Sequence, residues 1–206
     1  MLELYKACSN GFAIFLQPDY GFTDVGAKAK QVNLREIIAN YPDFPKQGIL
    51  FRDINPVFKR NDALNYIADE FYRIYNKEGV DMVAGIESRG FIIATALALR
   101  FERGIIMIRK AGKLPGRTIK KSYDIEYGAA TMEIQEDAIN KGDNILIADD
   151  LIATGGTAEA AAQIIKDLGG KVAGFAFIIE LSDLKGADRL RKMGYKVESL
   201  VTFHGH

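Results

Sequence analysis

A short apolar run that ends in two acids and a glycine-containing loop is the feature that most constrains the fold of this chain. The run covers residues 145–148, Asp149 and Asp150 follow it, and residues 151–157 (LIATGGT) lead into a helix-like stretch at 158–168. The pattern predicts a buried strand that turns into a helix N-terminus, a natural seat for phosphate because its backbone N–H groups are unpaired. Carboxylates one turn away can accept hydrogen bonds from sugar hydroxyls, so a sugar-phosphate ligand is indicated.

Two common nucleotide-binding loops are excluded. The 206 residues contain neither G-x-x-x-x-G-K-[ST], the loop of nucleotide triphosphatases, nor G-x-G-x-x-G, the loop of dinucleotide-binding proteins. A purely structural interpretation is that Asp149 and Asp150 end a strand while Thr157 caps a helix. That interpretation accounts for Thr157 but does not require two acids and two glycines together. We therefore favour the phosphosugar site.

Strand-like and helix-like patterns alternate along the chain. A short helix is expected at residues 34–39, and a helical pattern begins at Asn61 and stops at Gly79. Further helices are predicted at residues 91–101 and 158–168. The predicted strands cover residues 82–86, 104–108, 145–148 and 172–179. This alternation indicates an α/β fold with a central parallel sheet flanked by helices.

Charged motifs follow three of the predicted strands. They are Glu87-Ser88-Arg89, Arg109-Lys110 and Asp149-Asp150. Ligands of parallel α/β sheets bind beyond the C-terminal ends of the strands, so we expect the three motifs to converge on one rim.

Residues 113–139 interrupt the alternation. Two extended arms, at 118–124 and 130–136, flank Tyr127 and Gly128 and predict a hairpin that acts as a flap over the site. The alternative is a surface excursion without a role.

Composition narrows the classes of protein further. Hydrophobic residues make up 48% and charged residues 26% of the chain, and the formal net charge is zero, which gives no sign of a nucleic-acid or membrane partner. One cysteine, Cys8, excludes an internal disulfide, and no apolar stretch approaches the roughly 20 residues of a membrane span. We expect a cytoplasmic protein with one domain at residues 32–206. Residues 1–31 form an N-terminal extension of unknown role: a leader, a misassigned start or an arm.

Four motifs in the chain resemble those of the type I phosphoribosyltransferases, in particular the branch of that family that acts on adenine. The resemblance covers roughly residues 32–203. The matching segments are a base-binding segment at 41–54, a pyrophosphate loop at 85–91, a hood at 109–116 and 123–128, and the phosphoribosyl-pyrophosphate signature at 149–157.

The resemblance implies the fold and the activity. The fold is that of the type I phosphoribosyltransferases, with a small hood and a flexible hairpin flap at about 113–139. The activity is transfer of 5-phosphoribosyl from phosphoribosyl pyrophosphate to adenine, giving AMP and pyrophosphate in purine salvage. Magnesium is the implied cofactor, held mainly by substrate and water, and a homodimer is the implied assembly.

The resemblance also assigns roles to residues of the site. Asp149 and Asp150 would hold the ribose hydroxyls, and Glu126 would manage the proton of the base or only order the closed flap. The Glu87–Ser88 peptide bond would be cis, as is typical of the family. The 5′-phosphate would bind Ala153, Thr154, Gly155, Gly156 and Thr157; pyrophosphate would bind Glu87, Ser88, Arg89, Arg109 and Lys113; adenine would contact Leu50, Phe51, Arg52 and Tyr127.

Other functions stay open on the sequence alone. A phosphoribosyltransferase for another purine is the nearest alternative, although Phe51 and Glu126 argue against it. A ligand-sensing regulator on the same fold usually adds a basic helix-turn-helix domain, and residues 1–31 are neither basic nor helix-patterned. A binding module without activity would be expected to lose Glu126, Arg89 or one of the acids.

Overall fold

Two sheets organise the chain, which a computed structural model describes over residues 31–125 and 128–204. The strands are β1 (Ala39–Pro42), β2 (Leu50–Asp53), β3 (Met82–Ile86), β4 (Gly104–Lys110), β5 (Thr118–Ile125), β6 (Gly128–Gln135), β7 (Asn144–Ile152), β8 (Lys171–Leu181) and β9 (Val197–Phe203). The helices are α1 (Leu34–Ile37), α2 (Asn55–Phe58), α3 (Asn61–Tyr75), α4 (Gly90–Phe101), α5 (Gly156–Asp167) and α6 (Gly186–Lys192), with a 3-10 turn at Ser182–Leu184.

The larger sheet has seven strands in the order β5-β6-β4-β3-β7-β8-β9. Strands β4, β3, β7, β8 and β9 run parallel. Strands β5 and β6 pair antiparallel with each other, and β6 pairs antiparallel with β4, where Arg109 lies opposite Glu133. The register sets Gly85 beside Ala148 and Ile86 beside Ile108, so that the strands end at one edge. The predicted α/β fold is confirmed.

Apolar side chains bury both faces of this sheet. Along β7, Leu146 and Ala148 pack with α3 and α4, while Ile145 and Ile147 pack with α5 on the opposite face. This two-sided burial explains why the strand is a continuous apolar run. Each fully buried side chain of this size contributes about 1.5–3 kcal/mol to stability.

Helix α3 shows how sequence period becomes packing. Ala63, Ile67, Phe71 and Tyr75 are spaced by four residues and are all fully buried. The Tyr75 hydroxyl donates to the Phe175 carbonyl over 2.6 Å, which satisfies its polar end inside the core.

Some predicted boundaries were wrong because tertiary pairing extends or replaces local structure. Strand β7 continues past residue 148 to Ile152, since β8 pairs with Asp149, Leu151 and Ile152; Asp149 and Asp150 therefore lie within the strand. Gly155, with φ +84°, is the N-cap of α5, so Thr157 is not a cap. Helix α1 ends at Ile37 because Ala39 pairs with Asp53 in a hairpin that the sequence did not reveal.

The predicted hairpin is present as β5 and β6, paired from Thr118 with Gln135 to Ile125 with Gly128. Ile119 and Tyr123 pack against the core formed with α5, and Lys121 lies 3.5 Å from Asp167 of that helix. The hairpin is therefore docked onto the domain along these contacts and continues its sheet.

In the described stretches, no helix has the length and apolarity needed to cross a membrane.

Candidate active site

A cavity of about 390 Å³ lies at the C-terminal edge of the parallel strands. It is formed by the loop after β3, the end of β7 and the loop leading into α5. The predicted site residues that line it are Glu87, Ser88, Arg89, Asp149, Asp150, Ala153, Thr154, Gly155 and Thr157. Strand ends that are distant in sequence thus meet in one pocket.

Residues 153–157, called the phosphate loop after their predicted ligand, lie at the edge of this cavity and lead into the N-terminus of α5. No side chain caps that terminus within the described chain, so its first-turn N–H groups are left without a side-chain acceptor at the edge of the cavity. Gly186 supports the loop from below: its N–H donates to the Ala153 carbonyl over 3.0 Å. A Cβ on Gly186 would lie 2.2 Å from the Ala153 oxygen, so only glycine permits this contact. Sequence reasoning missed Gly186, and no local pattern marks it.

The two acids differ in environment. Asp150 is 7% exposed, and its Oδ2 lies 2.9 Å from Nε of Arg89. Asp149 Oδ1 accepts a hydrogen bond from the Asp150 backbone N–H over 2.9 Å. Burial and the neighbouring Asp150 charge raise the pKa of Asp149 well above its ordinary value. The two neighbouring carboxyl groups therefore differ: Asp150 is paired with Arg89, whereas Asp149 resists ionisation.

Helix α4 approaches these acids closely through a glycine. A Cβ on Gly90 would lie 2.8 Å from the Ala148 carbonyl oxygen and 2.9 Å from Asp149 Oδ1. The absence of a side chain at Gly90 therefore lets the loop carrying Arg89 lie against β7.

Glu87 gathers the cations of the neighbouring loops. The Glu87–Ser88 peptide bond is cis, as the resemblance implied. The Glu87 carboxylate accepts hydrogen bonds from Lys113 Nζ at 2.5 Å, from the Lys110 backbone N–H at 3.0 Å and from Arg109 Nε at 3.2 Å. Burial opposes ionisation, but the Lys113 ammonium and the Lys110 N–H together lower the pKa of Glu87 below its ordinary value. Arg109 and Lys113 thus sit at the rim on Glu87 and do not line the cavity.

The β1–β2 hairpin, which carries most of the predicted base-binding segment, lies beside the rim. The Phe51 ring meets Phe44 edge-on, with centroids 5.1 Å apart, and lies 5.8 Å from the Arg89 guanidinium carbon. Arg52 extends the other way, 4.1 Å above the Phe203 ring and bonded to Asn40. Only the backbone of Arg52 is therefore available on the Phe51 side. Leu50 pairs with Pro42 at the start of β2.

Other predicted residues fall elsewhere. Gly156 is the first residue of α5 and does not line the cavity. Glu126 and Tyr127, between β5 and β6, lie outside the described residues. Lys110, of the Arg109-Lys110 motif expected at this rim, also lines the cavity. Further lining residues, to which the sequence assigned no binding role, are Tyr123, Leu151, Ile152, Ala158 and Phe177.

Comparisons with known proteins agree with this geometry. The model of the phosphoribosyl transferase domain matches residues 58–205. The adenine phosphoribosyltransferase of Nitrosopumilus maritimus (strain SCM1) is 57% identical over 172 residues, which are 84% of this chain and 100% of that protein. The chain belongs to the adenine phosphoribosyltransferase family.

Solved structures of the adenine phosphoribosyltransferase family share the fold. The enzyme from Rhodothermus marinus DSM 4252 has a TM-score of 0.78 and 42% identity, covering 82% of this chain and 96% of that one. The Saccharomyces cerevisiae enzyme, solved with an imino-altritol bisphosphate and adenine, has a TM-score of 0.76 and 38% identity, with coverage of 82% and 96%. The predicted family and fold are confirmed.

Proposed function

We propose that this chain transfers the 5-phosphoribosyl group of phosphoribosyl pyrophosphate to adenine, giving AMP and pyrophosphate, in purine salvage. The observation that carries the proposal is a single cavity that joins paired acids to an uncapped helix N-terminus. Sugar hydroxyls and a phosphate require those two features side by side. The yeast relative solved with adenine supports adenine as the base.

Binding of the substrate begins at the phosphate loop. The 5′-phosphate would lie on Ala153, Thr154, Gly155, Gly156 and Thr157, where glycine allows close backbone approach and two hydroxyls add donors. The ribose hydroxyls would then reach Asp149 and Asp150. These contacts orient the sugar so that its C1 faces the loop after β3.

The reaction separates charge between the sugar and the leaving pyrophosphate, and the site must stabilise both. The bond between C1 and the pyrophosphate oxygen breaks, its electron pair leaves with pyrophosphate, and a ring nitrogen of adenine bonds to C1. Positive charge develops on the sugar, as in glycoside cleavage, and the Asp150 carboxylate faces it. The proton released by adenine would pass to Glu126 or, if Glu126 only orders the hairpin, to water.

The leaving pyrophosphate requires cations. Arg89 lines the cavity and offers a guanidinium suited to phosphate oxygens. Lys113 and Arg109 are held on Glu87 at the rim, and they would turn from that carboxylate to pyrophosphate. Ser88 adds a backbone N–H and a hydroxyl at the same loop.

Magnesium fits a supporting role. The described residues contain no cluster of three or more His, Cys, Asp or Glu side chains that could hold a metal. The cavity offers Asp149 and Asp150 as oxygen donors, which suits an ion bound mostly by pyrophosphate oxygens and water. When bound, magnesium would neutralise charge on the leaving group.

A homodimer is proposed from an exposed apolar surface. Ile105 and Met107 project from β4 on the face opposite the buried Ile106, toward α4, where Ile92 and Leu99 are also exposed. Leu99 is 70% exposed. Apolar patches of this kind mark protein interfaces, and C2 dimers are the commonest assembly. We further propose a cytoplasmic location, with residues 1–31 as an extension outside the domain.

Release of pyrophosphate tests the proposed function. Purified protein with magnesium and phosphoribosyl pyrophosphate receives adenine, hypoxanthine, guanine or xanthine in separate reactions. We expect release with adenine and AMP as product. The matched control is Asp150→Asn, which keeps the shape of the side chain and removes its charge. Release only with another purine, or none with adenine, would contradict the proposal.

A further inference from the structure

One buried carboxylate takes no part in the chemistry proposed above. Glu133 on β6 is 1% exposed, although it carries a charge. Its Oε1 accepts hydrogen bonds from the backbone N–H groups of Lys113 at 2.8 Å and Leu114 at 2.9 Å. Its Oε2 accepts from the Thr118 hydroxyl at 3.3 Å, and Lys120 Nζ lies 3.8 Å away. The carboxylate thus faces two backbone donors from the loop between β4 and β5, and the Thr118 hydroxyl and Lys120 ammonium of β5.

The charge on Glu133 is matched to these donors. Burial alone would raise its pKa, but hydrogen bonds from the Leu114 and Lys113 backbone N–H groups lower the pKa of Glu133 below its ordinary value. A buried group costs free energy unless its bonding capacity is used, and here both oxygens are used. Glu133 therefore holds the loop as an ionised group.

The position of Glu133 relates this loop to pyrophosphate. Strand pairing sets Glu133 directly beside Arg109, and Arg109 Nη1 donates to the Lys113 carbonyl over 3.3 Å. Lys113 is consequently held at three points: its carbonyl by Arg109, its backbone N–H by Glu133 and its ammonium by Glu87. The ammonium contact is exchangeable, because Glu87 lies in the loop that pyrophosphate would occupy. Neither Glu133 nor Lys113 lines the cavity, so the backbone contact can persist.

We propose that Glu133 is a positioning residue that clamps the backbone of Lys113 and Leu114, so that the Lys113 ammonium can move from Glu87 to pyrophosphate without displacement of its loop. The inference rests on the proposed function for the role of Lys113. Glu133 should therefore affect the binding of pyrophosphate and of phosphoribosyl pyrophosphate, and should not affect the binding of adenine.

Glu133→Gln tests the clamp because it removes the charge and keeps one acceptor oxygen. We expect the KM for phosphoribosyl pyrophosphate to rise at least about fivefold, while kcat and the KM for adenine stay near wild type. Glu136→Gln is the matched control: Glu136 is exposed and lies just beyond the same strand. Equal KM values in the two variants would overturn the proposal.

A double-mutant cycle separates positioning from general stability. Lys113→Ala removes the ammonium, so adding Glu133→Gln to it should change the KM for phosphoribosyl pyrophosphate little further. Fully additive effects would show that Glu133 acts without Lys113. Should Glu133→Gln fail to fold, Thr118→Val removes one donor to Glu133 and should raise the same KM by a smaller factor; an unchanged KM in that variant would count against the clamp.

Direct binding keeps this inference distinct from the proposed function. Calorimetric titration with magnesium pyrophosphate requires no turnover and no base. We expect Glu133→Gln to weaken pyrophosphate binding by the same factor as the KM, and Glu136→Gln to leave it unchanged. If adenine releases no pyrophosphate, but Glu133→Gln still weakens pyrophosphate binding in the titration, only the proposed activity is contradicted. An unchanged pyrophosphate affinity in Glu133→Gln would contradict the clamp.

Discussion

Arg89 and Asp150 connect two sides of the cavity through one ion pair, with 2.9 Å between Nε and Oδ2. Arg89 belongs to the loop after β3, and Asp150 to the end of β7. The Asp150 side chain is nearly buried, and the ion pair with Arg89 compensates the cost of burying it. A substrate that carries both a sugar and a pyrophosphate group would bridge the loop after β3 and the end of β7. Removal of Arg89 would leave the nearly buried Asp150 without its ion-pair partner, which is costly.

Arg89→Lys should weaken binding of phosphoribosyl pyrophosphate while keeping the positive charge. Lysine lacks the planar fork that meets a carboxylate and a phosphate at once, so we expect the KM to rise about tenfold, equivalent to ~1.4 kcal/mol. Steady-state kinetics measure this. Arg100→Lys is the control. Arg100 Nε lies 2.6 Å from Asp69 Oδ1, and neither residue lines the cavity. Similar KM changes in both variants would contradict a specific role of Arg89.

Gly186→Ala should disturb the phosphate loop from a distance in sequence. The added methyl would lie 2.2 Å from the Ala153 oxygen and 2.6 Å from the Gly155 nitrogen, so the loop must move. A shift of about 1 Å in a binding group can lower kcat/KM by about 100-fold. Gly104→Ala is the control, since its methyl would meet only the flexible end of Met82 at 3.3 Å. Unchanged kcat/KM in Gly186→Ala would refute the support role.

Asp149→Asn should make the protein more stable and less active. The pKa of Asp149 is raised in the folded state, so the wild-type fold is favoured most below the unfolded pKa and loses stability as the pH rises through the folded pKa. Asparagine keeps the acceptor for the Asp150 N–H and avoids this loss.

Thermal unfolding across pH measures the difference. The Tm of Asp149→Asn should exceed that of wild type at neutral pH, and the gap should close toward about pH 4. For a chain of this size each 1 kcal/mol shifts Tm by about 2–4 °C. The KM for phosphoribosyl pyrophosphate should rise in the variant. Exposed Asp137→Asn should show no such pH-dependent gap; a constant gap for Asp149→Asn would mean that its ionisation is not the cause.

Leu99→Glu should dissociate the proposed homodimer. A charge on the exposed apolar surface of α4 and β4 would be desolvated without a partner on association. Sedimentation equilibrium should show dimers for wild type and monomers for the variant at micromolar concentration. Met193→Glu, at an exposed apolar position next to α6, should remain dimeric. A dimeric Leu99→Glu would exclude this surface as the interface.

Glu126→Gln should lower turnover far more than affinity. A general acid–base group contributes about 10²–10⁴-fold to rate, so kcat should fall within that range while the KM values stay close to wild type. The pH profile of kcat should lose one limb at the same time. Turnover equal to wild type would remove Glu126 from the catalytic residues and leave it an ordering role.

Local patterns were sufficient for the architecture. Helix α3 and strand β7 were predictable because the apolar spacing of four residues and the continuous apolar run are properties of adjacent residues. The hairpin β5–β6 was also predictable from its two extended arms. Strand β9 and the β1–β2 hairpin were missed, since their pairing partners supply the evidence for them.

The residue types around Asp149 and Gly155 were sufficient to predict a sugar-phosphate site, because glycines, paired acids and a following helix suit that ligand and lie in order along the chain. The phosphoribosyl group itself was implied by the resemblance. The electrostatic state of the site came only from folding. The raised pKa of Asp149 follows from its burial against Asp150, and the contacts of Glu133 and Glu87 with Lys113 join groups 20 and 26 residues apart. Such contacts depend on strand register and on the close approach of glycines, which no single segment encodes.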